Sequence, residues 1–134
     1  MRVVLSSILG VAAAGVTVLA CEFLGGLVFS GPPDTTNPDA VTAWIAQAPV
    51  ATLLWVVVGW FLGPLVGATT SAWAARTPAT AYIVGSIMLS ATLVTLASLP
   101  HPTWMWGAGV VAVVAGSTLG WMIAGRLPKP VDTA

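Results

Sequence analysis

Four apolar runs take up most of this 134-residue chain, each near the roughly 20 residues that a helix needs to cross a bilayer. The first goes from Val3 to Phe29, with Cys21 and Glu22 as its interruption. The second goes from Val50 to about Thr69, the third from about Thr80 to Leu99, and the fourth from Trp104 to about Ala124. None alternates as a half-buried strand would, and a four-stranded sheet leaves open edges in lipid. Helices satisfy their backbone groups internally, so all four runs are expected to be helices. The expected fold is an all-α membrane protein, a four transmembrane helix bundle forming a single membrane domain over 1–134.

The surroundings of such a bundle follow from its charge. Charged residues are 6% of the chain and hydrophobic residues 57%, against roughly 25% charged in a soluble domain. So few charges cannot coat a water-soluble protein of this size, and lipid is the expected solvent for most of its surface. Net charge is zero, with no basic stripe, which argues against a nucleic-acid partner. The expected partners are the bilayer itself and a homo-oligomer or larger membrane complex.

Orientation is read from the cations. Arg2 precedes the first run, Arg76 separates the second and third, and Arg126 and Lys129 follow the fourth. With four crossings all of these fall on one side, while the loops 30–49 and 100–103 carry neither Lys nor Arg. The positive-inside rule places both termini, including a tail over 125–134, in the cytoplasm of a cell (inner) membrane.

The N-terminus also shows a targeting pattern. Met1-Arg2, an apolar run and Val18-Leu19-Ala20-Cys21 resemble the start and lipobox of a bacterial lipoprotein, in which Cys21 would be lipidated. The chain after Cys21 stays apolar through Phe29 rather than turning polar, so residues 3–29 are read as an uncleaved helix. At about 1.5 Å per residue that helix is roughly 40 Å long, more than a hydrocarbon core of about 30 Å. Its last turns are expected to project and pack on the following loop.

Within that loop, residues 30–49, Pro32-Pro33 sets an extended turn. Asn37 reads as a helix N-cap, with Pro38 at the first helical position and Asp39 near the positive dipole end. Val41, Trp44, Ile45 and Ala48 then recur at helical spacing, which predicts a short amphipathic helix. It is expected to lie on the outer membrane surface with Trp44 as anchor, or to rest on the bundle.

Small residues mark the packing faces. Gly59, Gly63 and Gly67 share one face of the second helix, and Ala112, Gly116, Gly120 and Ala124 one face of the fourth. Such faces let backbones approach closely in lipid, so they are expected to be seams inside the bundle or between two copies. Pro64 removes a backbone hydrogen bond and is expected to kink the second helix. Most tryptophans, including Trp44, Trp73, Trp104, Trp106 and Trp121, fall near predicted interfaces as an aromatic belt, while Trp55 and Trp60 lie deeper.

Few groups can carry chemistry. Glu22 is the one carboxylate within an apolar run, and an ionisable group there is a functional candidate. Its distance from Arg2, about 30 Å along a helix, puts it near the outer boundary. His101, the single histidine, sits in Pro100-His101-Pro102 on the same side, so a Glu22–His101 hydrogen bond is sterically open. Cys21, Glu22 and His101 are too thin a set for a metal site, and no cofactor is implied. The hydroxyls of the third run, Ser86, Ser90, Thr92, Thr95 and Ser98, are expected to bond their own backbone or a neighbouring helix. A serine nucleophile needs an adjacent base, and none is in reach by sequence, so no catalytic residue is assigned.

The acidic residue late in the first helix, the Pro-rich outer loop, the Gly-rich second helix and Pro100-His101-Pro102-Thr103-Trp104 together resemble a group of small bacterial four-helix integral membrane proteins with a Pro-His-Pro-x-Trp turn. The resemblance implies a bacterial membrane location and assigns no activity. Small multidrug-resistance transporters are similar only in having four helices and a first-helix glutamate. Glu22 lies too far along, and the aromatic and lysine residues expected around that glutamate are missing. The expected function is a non-enzymatic scaffold, accessory or lipid-interacting component. Its rival is a small oligomeric transporter or channel using Glu22 as a cation or proton site.

Overall fold

The computed structural model of the chain describes residues 1–32 and 34–128; Pro33, Lys129 and the rest of the expected tail lie outside the described residues. Within them the chain is helical throughout its apolar runs: α1 Arg2–Val28, α2 Pro38–Gln47, α3 Val50–Ala75, α4 Ala79–Ser98 and α5 Thr103–Ala124. All but α2 are long and apolar enough to cross a membrane. Large apolar side chains such as Val16, Leu19, Phe23 and Val94 point outward, as expected where the solvent is hydrocarbon rather than water.

α3 is the spine. It packs against α1, α4 and α5, while α1 and α5 do not contact each other directly; α4 reaches both. The reason is written in glycine. A Cβ added at Gly67 would lie 2.5 Å from the Gly10 carbonyl oxygen, and one added at Gly10 would lie 2.6 Å from Cβ of Ser71. Helices α1 and α3 therefore meet backbone to backbone, antiparallel, along Gly10–Ala14 and Gly63–Gly67. On another side of α3, Gly116 seats on the Phe61 carbonyl, and a Cβ at Gly120 would lie 2.5 Å from that of Leu65. Thr69 fastens this second seam, its hydroxyl donating to the Leu65 carbonyl at 2.7 Å and the Gly120 carbonyl at 3.2 Å. Both sequence-marked glycine faces are thus seams within one chain, and they serve two different pairs of helices rather than pairing with each other.

α3 continues past the expected end at Thr69 to Ala75. The hydroxyls in this stretch are absorbed by their own helix, Thr69 onto the Leu65 carbonyl and Thr70 onto that of Val66 at 2.8 Å. Ser71 and Ala72 are buried. The helix stops at Arg76, which takes the left-handed conformation with φ 59° and ψ 28°, an unusual place for a residue with a side chain. Pro64 lies inside α3, fully buried, and the helix runs on through it.

The two ends of the bundle differ. Arg2 donates from Nε to the Ala74 carbonyl at 3.2 Å, at the negative end of the α3 dipole. The Trp73 indole donates to the Pro128 carbonyl at 2.7 Å. This arginine end therefore holds Arg2 and Arg76 and the chain leaving α5, and its core is alanine: Ala68, Ala72 and Ala81, with Ala124 packed on them. At the opposite end the core is built of Leu53, Trp60, Leu96, Met105 and Val113.

α2 covers this second end. The Asn37 side chain accepts from the amides of Asp39 at 3.0 Å and Ala40 at 3.4 Å, with Pro38 starting the helix. Upstream, Asp34 accepts from both the hydroxyl and the amide of Thr36. These two bonds hold the exposed Asp34 carboxyl below its usual range, the hydroxyl contributing most. No Cα of α2 comes within 8 Å of a Cα in another helix. The helix is fastened by side chains instead: Ile45 is buried, and the Trp44 indole donates to the Ser30 carbonyl at 3.0 Å.

Candidate functional site

Between α1, α3 and α4, at the end that α2 covers, lies a cavity of about 610 Å³. Its position follows from the change in residue size along α3. Toward the arginine end Gly63 and Gly67 draw α1 against α3, and Val84 of α4 closes on the same point. Toward the other end the residue facing α1 is Trp55, whose indole fills the space between the two helices. α1 accommodates it with Gly25, where an added Cβ would lie 2.6 Å from the ring. The indole N–H donates to the Cys21 carbonyl at 2.7 Å, and Phe29 stacks at a tilt on the same ring with centroids 6.3 Å apart.

Glu22 lines this cavity from α1, and His101 lines it from the turn between α4 and α5. The structure brings the two sequence candidates to one space without a direct bond. Glu22 makes no hydrogen bond or ion pair within the described residues. The His101 ring instead pairs through Nδ1 with the Leu99 carbonyl at 3.2 Å. A carbonyl only accepts, so that bond requires the proton on Nδ1 and leaves Nε2 an acceptor in the neutral ring. Trp60 packs its ring 6.0 Å from that of His101, fixing the turn against the core.

The rest of the wall is aromatic and apolar, with a few hydroxyls. Trp44 and Ile45 enter from α2, Trp55 and Trp60 from α3, Met88 and Thr92 from α4. The apolar face of α2, expected on the membrane surface, is thus turned to the cavity. Val41, Trp44 and Ile45 all line it, and Ile45 is buried. Cys21 is buried at the α1–α3 seam, its Cβ near the space that a Cβ on Gly59 would fill, 3.3 Å away. Among the described residues no three His, Cys, Asp or Glu side chains gather as a metal site would need.

Three contributors escape a reading by residue type. Gly10 and Ala14 form the α1 half of the seam, a small-xxx-small step that could have been found by applying to the first helix the test applied to the others. Gly25 looks like a helix end and is in fact the socket for Trp55. The pairing of the Trp44 and Trp55 indole N–H groups with backbone carbonyls has no local sequence signal, because each bond joins residues far apart in the chain.

Three of the α4 hydroxyls are bonded to their own helix. Ser90, Thr95 and Ser98 donate to the carbonyls of Ser86, Ala91 and Val94, four residues back in each case.

Compared with known protein families, with curated proteins and with solved structures, the chain has no match. Its functional reading rests on the chemistry of the cavity.

Proposed function

We propose that this chain is a non-enzymatic, multi-pass membrane protein that interacts with lipid-like molecules, holding a small amphiphile in the cavity beneath α2. Of the scaffold, accessory and lipid-interacting roles open to such a chain, the last is the one a cavity serves. The observation that carries this reading is a space of about 610 Å³ walled by Trp44, Trp55, Trp60 and Met88, with a polar edge at Glu22 and His101. Pockets for small molecules have this size and this mixture of apolar wall and sparse polar groups. The same residues offer catalysis little, since no hydroxyl or thiol is bonded to a base.

The cavity end is outward and the arginine end cytoplasmic in this proposal. Its support is the clustering of Arg2 and Arg76 with the chain after α5 at one end, together with the positive-inside rule. The resemblance of the Pro100-His101-Pro102-Thr103-Trp104 turn to small bacterial membrane proteins favours a bacterial inner membrane.

Quenching of tryptophan fluorescence by a brominated, non-ionic single-chain detergent, added to protein in zwitterionic nanodiscs, tests the reading. Saturable quenching is expected in the wild type. It is expected to weaken at least about tenfold in a Gly26→Leu/Ala91→Leu variant, because both positions line the cavity and Gly26 has open space beside it. Quenching that rises linearly without saturation, identical in both proteins, would mean that bromine reaches the indoles only through bulk lipid, and the proposal would fall.

A second reading, a small oligomeric transporter or channel, draws on Glu22, the one carboxylate at the cavity. Flux into liposomes, compared between the wild type and Glu22→Gln, separates it: transport requires a flux that the substitution abolishes.

A further inference from the structure

We infer that the cavity beneath α2 selects a monovalent organic cation with an apolar body, an amine or quaternary-ammonium amphiphile, with Glu22 as its counter-ion. The inference rests on the amphiphile-binding reading above and adds the charge of the head group.

Electrostatic sign comes first. Among the described residues Glu22 is the only charged side chain on the cavity wall, and no Lys or Arg lines it. The carboxylate has no partner within the described residues, so its charge is left for whatever enters. A cation entering such a space gains an attraction that the low-dielectric walls strengthen, and an anion meets repulsion.

The hydrogen-bond inventory points the same way. An anionic or phosphate head needs donors. Two of the three indole N–H groups on the wall are already spent, Trp44 on the Ser30 carbonyl at 3.0 Å and Trp55 on the Cys21 carbonyl at 2.7 Å. His101 spends its Nδ1 proton on Leu99. Those three rings therefore present π faces and a ring-nitrogen acceptor, which suit an ammonium group, while the donors left on the wall, the Trp60 indole and threonine hydroxyls, are neutral and supply no counter-charge to a phosphate.

The form of the cation follows from the rest of the wall. A bare metal ion needs several oxygen or nitrogen ligands, and no group of three His, Cys, Asp or Glu side chains is present among the described residues. An alkylammonium needs one counter-charge, aromatic faces and a hydrocarbon-lined space for its chain. Glu22, Trp44 and Trp55 supply the first two, and Val18, Leu53 and Met88 line the third.

The experiment uses two brominated single-chain amphiphiles of equal chain length, one with a trimethylammonium head and one non-ionic, titrated into wild type, Glu22→Gln and Glu22→Asp in zwitterionic nanodiscs. The wild type is expected to bind the cation at least about tenfold more tightly than the non-ionic probe. Glu22→Gln is expected to lose that preference while keeping its affinity for the non-ionic probe, which also reports that the cavity is intact. Glu22→Asp is expected to keep most of the preference. Equal binding of both probes to the wild type overturns the cation inference and leaves the amphiphile site standing. A preference that survives in Glu22→Gln also overturns it. Failure of both probes to bind the wild type removes the amphiphile reading and this inference with it.

Discussion

At the arginine end of the bundle Gly10 and Gly67 meet through their backbones, while at the other end of the same α1–α3 seam Gly25 faces the indole of Trp55. Both places use glycine on one helix to admit a close neighbour, and what differs is the neighbour. A peptide backbone cannot move aside without unwinding a helix. An indole fills volume and stands off the next helix at its own width. The first contact lies where the helices are tightly closed, and the second lines the cavity. The cores repeat the contrast, alanine at the closed end and leucine, methionine and tryptophan at the open one. In a bilayer, where lipid tails are as apolar as the side chains and burial drives little, close backbone contact is a principal source of helix cohesion. Close backbone packing and cavity space thus fall at opposite ends of the bundle.

The strongest test of that division makes one substitution at both ends. Gly67→Ala puts a Cβ 2.5 Å from the Gly10 carbonyl oxygen. Overpacking of this kind costs about 1–3 kcal/mol, and thermal unfolding in mild detergent should show a loss toward the top of that range because the obstructing atom is backbone. Gly26→Ala places its Cβ in open space, and helix propensity alone should make it neutral or stabilising by up to about 1 kcal/mol. Equal losses at the two positions would break the comparison.

A smaller effect is expected from Trp55→Phe, which keeps a ring in the Gly25 socket and removes the bond to the Cys21 carbonyl at 2.7 Å. A hydrogen bond of this kind contributes roughly 0.5–1.5 kcal/mol, so unfolding should ease by about 1 kcal/mol. Hydrogen exchange should rise in the last turns of α1 and stay unchanged around Gly10. A change spread evenly along α1 would show that the open end is not an independent unit.

The smallest effect concerns the loop before α2. The bonds from the Thr36 hydroxyl and amide lower the Asp34 pKa in the folded turn. A depressed carboxyl contributes its stabilisation above the unfolded pKa and loses it as pH falls through the folded one. The Thr36 amide shift, followed by NMR in detergent, should stay constant through neutral pH and move only under acid below the ordinary aspartate range. Titration of Asp34 at or above that range would show that the turn is not held this way.

Much of this arrangement is legible in the residues, and the exceptions have physical causes. Helices long enough to span a bilayer follow from unbroken apolar runs, and Asn37-Pro38-Asp39 marks the start of α2 because capping is local chemistry. Gly59, Gly63, Gly67, Gly116 and Gly120 announce close packing through their spacing, but spacing carries no address. That α3 turns one glycine face to α1 and offers the backbone of another side to α5 is settled by three-dimensional fit. α3 runs beyond the apolar run to Ala75, because Thr69 and Thr70 each return their hydroxyl to their own helix. Glu22 and His101 are conspicuous as rare polar residues, and topology alone puts them on one side. Their separation by a cavity rather than a bond depends on the bulk of Trp55 and on the His101–Leu99 contact, both set by packing.

Arg2 and Pro128 dock on neighbouring residues of α3, Ala74 and Trp73. Arg2 and Pro128 are therefore held side by side on a common strut. A short linker could join them, and fresh ends could be opened in the turn at Thr77 without rerouting any helix. For the same reason, the halves of a split reporter appended to the two ends should reassemble within a single molecule.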